Sequence, residues 1–264
     1  MDFNASDFNL PPAAIEEWVS QCAQAVSKYL GKFPVSRARL QVEAGGRGHG
    51  VQNGVSWGGR EALCRITMGK GVTAAELKRD WVLTHEMFHF AFPSVPEQHR
   101  WIEEGISTYT EPISRAGVGL LSPEEVWRDM VRDLPQGMPE AGDEGLDYTH
   151  TWGRTYWGGA LFCLVADVGI RKATENRKGL RDALKGINAA GGNINAEWPL
   201  TRALEIGDRA TGTTVLSSLY RSMGSSATPV DLPALWKQLG VIRTWNRITF
   251  DGGAPLAATR AGIV

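Results

Sequence analysis

His85-Glu86-Met87-Phe88-His89 is the segment of this 264-residue chain best equipped for chemistry. On an α-helix, at about 100° per residue, side chains four apart share a face one turn above another, so His85 and His89 can reach one metal ion. Imidazole nitrogens bind zinc at roughly 2.0–2.1 Å. Glu86 is rotated about 100° from His85, so it flanks such an ion instead of binding it, placed to take a proton from a water that the metal acidifies. Two protein ligands are too few for a zinc site, structural or catalytic. A His at position 95 with Gly at 92 would complete a metzincin, but Val95 and Phe92 stand there and that class is excluded. The next acidic pair is Glu103 and Glu104, in Trp101-Ile-Glu-Glu-Gly-Ile-Ser-Thr-Tyr109. Neighbours on a regular helix diverge by about 100°, so only one of the two can join the histidines.

Such a site needs two helices packed side by side. Thr73-Ala-Ala-Glu76 is a capping box that opens a helix running to Phe92, where Pro93 ends it. A second helix starts near Pro96 or Glu97 and ends around Gly117. Upstream, residues 1–11 read as a polar tail, 12–30 as a helix stopped by Gly31, and Arg37–Glu43 and Ala62–Met68 as strands. Between the strands, residues 45–59 hold seven glycines and predict either turns or a sheet edge beside the cleft, along which an extended peptide pairs. Downstream, Ser122-Pro-Glu-Glu125 opens a helix to about Asp133, and 134–148 is loop. Residues 151–173, 177–190, 211–223 and 231–239 read as helices, and Thr244–Phe250 as a weak strand. This order predicts an α+β fold, with a small N-terminal sheet and a mainly helical C-terminal lobe.

In these residues the chain resembles the gluzincin zinc metallopeptidases, particularly the aminopeptidase-N-type and glycyl-aminopeptidase-type groups. Their pattern is HExxH followed by a Trp-x-x-Glu-Gly-x-x-x-Tyr helix whose glutamate before glycine is the third ligand; HEMFH and WIEEGISTY match it at 85–89 and 101–109. The resemblance implies a thermolysin-like core with one Zn2+ per chain held by His85, His89 and Glu104, Glu86 as general base, and Gly105 admitting a close approach of the two helices. It continues at Arg154-Thr-Tyr156-Trp-Gly158-Gly, similar to the family's Tyr-x-x-Gly, which implies Tyr156 as the oxyanion donor; Tyr109 and Tyr148 are its rivals. The match covers roughly residues 73–166. The interval from His89 to Glu104 is shorter than in the aminopeptidases. The glutamate-bearing Gly-x-Met-Glu-Asn motif that holds a free amino terminus is replaced by Asn53-Gly-Val-Ser-Trp-Gly-Gly59, so endo- and aminopeptidase modes both stay open. The implied organisation is a catalytic unit over 12–190 with a helical segment, 191–264, packed on it. Within that unit lie a sheet lobe (32–72), zinc-binding helices (73–117) and a helical lobe (122–190).

Other polar residues divide between supporting and bland roles. Glu103, Glu111 and Asp147 are unranked candidates to orient the two metal-binding imidazoles. His150 is a candidate substrate contact, while His49 and His99 read as solvated, and Trp81, Trp101, Trp152 and Trp157 read as core. Lys70 follows a glycine, but Gly71 and Cys64 occupy positions that a phosphate loop needs filled otherwise.

Composition excludes several classes. Lys and Arg total 28 against 29 Asp and Glu, a formal charge of −1, which offers nothing to a phosphate backbone, so no nucleic-acid partner is expected. The longest apolar stretch, Gly158–Val168, is broken by Asp167 and falls short of the roughly 20 residues of a membrane span. Cys22, Cys64 and Cys163 form no CxxC and read as buried thiols. With no basic and apolar leader at its start, the chain reads as soluble and cytoplasmic as it stands, or periplasmic or secreted if a leader has been removed. The expected partner is a peptide or protein substrate. Two other functions compete: a zinc-binding protein that recognises peptides without cleaving them, against which an intact Glu86 argues, and a structural helical protein with no metal.

Overall fold

The computed structural model describes residues 1–4, 7–46, 48–245 and 247–264. Helix α1 (Pro12–Leu30) begins with proline at its first position and ends at Gly31 in the left-handed conformation (φ 83°). Its stripe of Ile15, Trp18, Cys22 and Val26 is buried, as the three-to-four spacing requires. The N-terminal region also holds a mixed sheet of β1 (Asp2–Phe3), β2 (Ala38–Ala44), β3 (Val51–Trp57) and β4 (Ala62–Met68), in spatial order β1-β2-β4-β3. In β4, Ala62, Cys64, Ile66 and Met68 alternate inward with period two. β2 runs parallel to β4 (Leu40 opposite Cys64), and β3 runs antiparallel to it (Val55 opposite Arg65), leaving the far edge of β3 unpaired among the described residues.

Two expectations for this region are corrected. Residues 1–11 are no simple tail: Asp2 and Phe3 pair with Gln41 and Val42, and Phe8 is buried. The glycine-rich stretch is not merely turns, because Val51–Trp57 is a strand. Its alternation is muted because none of its residues is fully buried and because Gly54 stands where a side chain would collide with Val82 and Glu86.

The predicted helix from Thr73 to Phe92 is two: α2 (Ala74–Arg79) and α3 (Val82–His89). The Thr73–Glu76 capping box is present at the start of α2. Asp80 breaks the run. Its backbone is extended (ψ 138°), and its carboxylate accepts the N–H groups of Val82 and Leu83, both at 3.1 Å, and of the Trp18 indole at 3.2 Å. One side chain thus re-caps the next helix and pins it to α1, giving α3 its own direction.

After a 3-10 turn (Glu97–His99), α4 (Arg100–Gly117) carries the Trp-Ile-Glu-Glu-Gly segment, and α5 (Pro123–Asp133) follows behind its Ser122 capping box. The expected helix over 151–173 opens as a π-helical turn (Gly153–Gly158) before α6 (Gly159–Ala173). α4 crosses α6 at Gly105 and Gly159, where a Cβ on Gly105 would lie 2.3 Å from the Gly159 carbonyl carbon. Gly105 therefore admits α6, not the histidine helix. The chain continues through α7 (Leu180–Ala189), α8 (Leu200–Thr211), α9 (Val215–Met223) and α10 (Leu232–Leu239). A hairpin of β5 (Val241–Thr244) and β6 (Arg247–Phe250) and a final helix α11 (Ala257–Ile263) complete it; α8, β5 and α11 were not anticipated. The fold class is α+β as expected, and no helix among the described residues is long and apolar enough to cross a membrane. All three cysteines are buried and free.

Candidate metal centre and its cleft

Helices α3 and α4 face each other, so that one turn of the first and one residue of the second meet. His85 Nε2 lies 3.2 Å and His89 Nε2 3.5 Å from the same oxygen, Glu104 Oε2. One ligand atom from each residue falls within 4.8 Å of the others, close enough for all three to contact one ion. The other carboxylate oxygen, Oε1, accepts from Arg100 Nε at 3.4 Å and Nη2 at 3.3 Å. Glu104 thus splits its two oxygens between an arginine one turn before it and the imidazole pair. Arg100 was not singled out from the sequence, although its i,i+4 spacing to Glu104 was there to be read.

Electrostatics favour the ligating form at two of the three groups, Glu104 and His85. Burial alone would raise the Glu104 carboxyl, but the two imidazoles outweigh it and hold it well below the usual carboxylate range. Burial lowers His85; for His89, burial acts the same way but the Glu104 carboxylate overrides it and leaves the ring raised. Glu86, one residue on from His85, is 7% exposed, and its Oε2 is buried with no hydrogen-bond partner among the described residues. A carboxylate oxygen left bare in this way is costly unless a ligand completes it.

The triad forms part of the wall of a cleft of about 690 Å³. One side is the free edge of β3, held close to α3 by Gly54 and by the Ser56 hydroxyl, which donates to the Glu86 carbonyl at 3.0 Å. Tyr156 also lines the cleft; its ring stacks on His85 at 6.3 Å between centroids and on Trp152 at 5.7 Å. Burial and the nearby Glu104 charge push the Tyr156 phenol up, so it stays a donor. Of its rivals, Tyr109 is buried and donates to Asp167 at 3.0 Å, and Tyr148 is exposed outside the cleft lining. Further lining comes from Ile194, Asn195 and Glu197, for which sequence reading assigned nothing beyond packing. Ser94 bridges Glu197, and Asn195 accepts the Gly59 N–H at 3.2 Å, bringing Ile194, Asn195 and Glu197 to the cleft. No local pattern marks these residues, since only the crossing of two distant segments brings them there.

The three candidate orienting carboxylates point elsewhere. Glu103 accepts the Val95 N–H at 2.8 Å and anchors the turn between α3 and α4. Glu111 pairs with Arg115 at 2.8 Å. Asp147 accepts from His99 Nδ1 at 2.7 Å, Trp101 Nε1 at 2.8 Å and the Tyr220 hydroxyl at 2.8 Å. His99 is therefore buried and bonded, contrary to the expectation of a solvated ring, whereas His49 is solvent-facing as expected. His150 is exposed and bonded through Nε2 to the Asp147 carbonyl at 2.9 Å. Trp81 and Trp152 are exposed at the site; Trp101 alone of the four is fully core.

A search of solved structures matches an aminopeptidase N family protein from Idiomarina loihiensis, 14% identical, with a TM-score of 0.67 over 89% of this chain and 46% of that one. This chain spans about half the length of that protein. At such low identity the likeness shows the fold alone, shared with about half of that aminopeptidase N family protein. No family model and no curated protein matches the chain.

Proposed function

We propose that this protein is a zinc-dependent metallopeptidase, with His85, His89 and Glu104 as metal ligands, Glu86 as general base and Tyr156 as oxyanion donor. The observation that carries this reading is the convergence of two imidazoles and a carboxylate on one point beside the bare, buried oxygen of Glu86. The donor set suits zinc, which takes nitrogen and carboxylate oxygen ligands together. Bound zinc supplies a Lewis acid for the scissile carbonyl and brings a water's pKa from 15.7 toward about 7.

The chain's own residues supply the remainder. Glu86 Oε2 accepts the proton of the attacking water and later delivers it to the leaving amine. The Tyr156 hydroxyl, beside His85 in the cleft lining, donates to the oxyanion as the carbonyl becomes tetrahedral, an interaction typically worth about 3–4 kcal/mol of barrier. The unpaired edge of β3 offers backbone N–H and C=O groups to an extended peptide, which orients it across the site. Asn53–Gly59, in place of an amino-terminus-binding motif, belongs to that edge, so the reading leaves endo- and exopeptidase modes both open.

The test is cleavage of a mixed peptide library by zinc-loaded protein. Hydrolysis in the wild type, abolished in Glu86→Gln with zinc retained, is expected. Zinc binding with no cleavage of any peptide would instead indicate a peptide-recognition protein.

A further inference from the structure

A hollow of about 250 Å³ lies at the end of α4, lined also by α1, α6, α7 and α11, and it shares no lining residue with the cleft. Three cations line it, Lys28, Arg171 and Arg181, against one side-chain carboxylate, Asp167. That carboxylate is already occupied. One oxygen accepts from Arg171 Nε at 2.8 Å and the Leu180 N–H at 3.0 Å, and the other accepts from the Tyr109 hydroxyl at 3.0 Å. Its charge offsets one cation and leaves two without a counter-charge in the side chains. Val264 also lines the hollow, but among the described residues no ion pair joins its main-chain carboxylate to any of the three cations.

Several donors here lack an acceptor. Arg171 is 7% exposed, yet neither of its Nη groups has a hydrogen-bond partner among the described residues. Gly262, also in the lining, packs against Nη1 where a Cβ would displace it. Tyr29 is 8% exposed, with its ring edge-on to Phe88 at 5.5 Å, and its hydroxyl has no partner among the described residues either. Burial and the Asp167 charge push that phenol up, so it keeps its proton and stays a donor. Lys28 Nζ is held in place by the Gly117 carbonyl at 2.5 Å, and the exposed Arg181 has no partner among the described residues. Donors this deeply buried are costly unless something completes them.

We infer that this hollow binds a phosphate group, as the free ion or a small monoester. The open groups are all donors, so the ligand must supply acceptors, and the two uncompensated positive charges suit a dianion. A phosphate group carries close to two negative charges and three strong acceptor oxygens, enough for the Arg171 Nη groups, the Tyr29 hydroxyl and Arg181 together. A carboxylate offers one charge and two oxygens. The size agrees, since the hollow falls below the roughly 300–1,000 Å³ of drug-sized sites. An ion held there bridges α1, α6 and α7, and the inference stands whether or not the metal centre is catalytic.

The experiment is isothermal titration of the full chain with inorganic phosphate, glycerol 3-phosphate and acetate at constant ionic strength, in wild type, Arg181→Ala and Tyr29→Phe. The first variant removes an exposed side chain and the second only a hydroxyl, so both are expected to fold, which circular dichroism checks. Wild type should bind one phosphate group per chain, at least tenfold more tightly than acetate, and each variant should weaken it about tenfold. The tighter of the two phosphate ligands identifies the source, the free ion or a monoester. No binding of either by the wild type would overturn the site. Binding that both variants leave unchanged would mean an adventitious ion only, and a loss confined to Arg181→Ala would mean attraction to a surface arginine; either result overturns it. Acetate bound as tightly as phosphate would overturn the choice of a dianion.

Discussion

Two histidine–carboxylate clusters flank the first turn of α4, built from the same residue types to opposite ends. At Asp147, three donors from three places, His99, Trp101 and Tyr220, share two oxygens at 2.7–2.8 Å, and the group is closed. It ties α9 and the loop carrying Asp147 to the start of α4; that loop is shorter than the expected 134–148, because Leu134–Gly137 is a 3-10 helix. At Glu104, two imidazole nitrogens face a single oxygen at 3.2 and 3.5 Å, longer than the Asp147 bonds, with a cleft in front and a bare Glu86 oxygen beside them. Neither residue identity nor the number of partners per oxygen separates the two cases; the longer imidazole contacts, the cleft in front and the bare Glu86 oxygen do.

The largest effect expected is at the open cluster. Glu86→Gln keeps the shape of the side chain and removes its basicity, so kcat should fall by about 10²–10⁴-fold with zinc stoichiometry unchanged. Activity within tenfold of wild type would take the base role from Glu86. At the closed cluster the loss should be of stability instead. Asp147→Ala strands two buried donors and a half-buried one and should cost about 3–5 kcal/mol in denaturant unfolding, with zinc still bound at one per chain. Zinc lost from a folded Asp147→Ala protein would mean that the two clusters are not separate. Tyr156→Phe keeps the stacking on His85 and deletes the hydroxyl, so kcat should drop about 10²–10³-fold with KM little changed. An equal loss confined to KM would make Tyr156 a binding residue.

How much of this was legible beforehand follows from how local each signal is. The HExxH pattern, both capping boxes and the Gly31 stop are decided within one or two turns of helix and were readable. Glu104 was narrowed by geometry to one of two neighbours and selected by resemblance. The break at Asp80 was not readable, because an aspartate inside a helical pattern re-caps only when a partner such as Trp18 holds it. β3 was half readable: its glycines announce a close approach, but that the approaching group is α3 depends on packing. His99 was misjudged because its partners lie 48 and 121 positions away, or on its own helix beside it, and no spacing rule reaches that far. The cleft lining at Ile194, Asn195 and Glu197 is illegible for the same reason.

The smallest expected effect concerns a third buried pair, Glu111 with Arg115. Burial pushes the Glu111 carboxyl from its ordinary 4.5 up to about 7 despite the arginine. Between those values the folded chain holds a proton that the unfolded chain has lost, so stability should fall as pH rises from about 4.5 to 7. Glu111→Gln should flatten that part of the curve. An unchanged slope, measured by thermal unfolding across the window, would mean that the pair stays ionised throughout.

The central claim is that His85, His89 and Glu104 hold zinc, and zinc titration of metal-stripped protein tests it most directly. The account predicts one zinc per chain for the wild type, with affinity lost in Glu104→Ala while circular dichroism shows the fold intact. Full-affinity zinc binding by a folded Glu104→Ala protein, or no binding by the wild type, would contradict it.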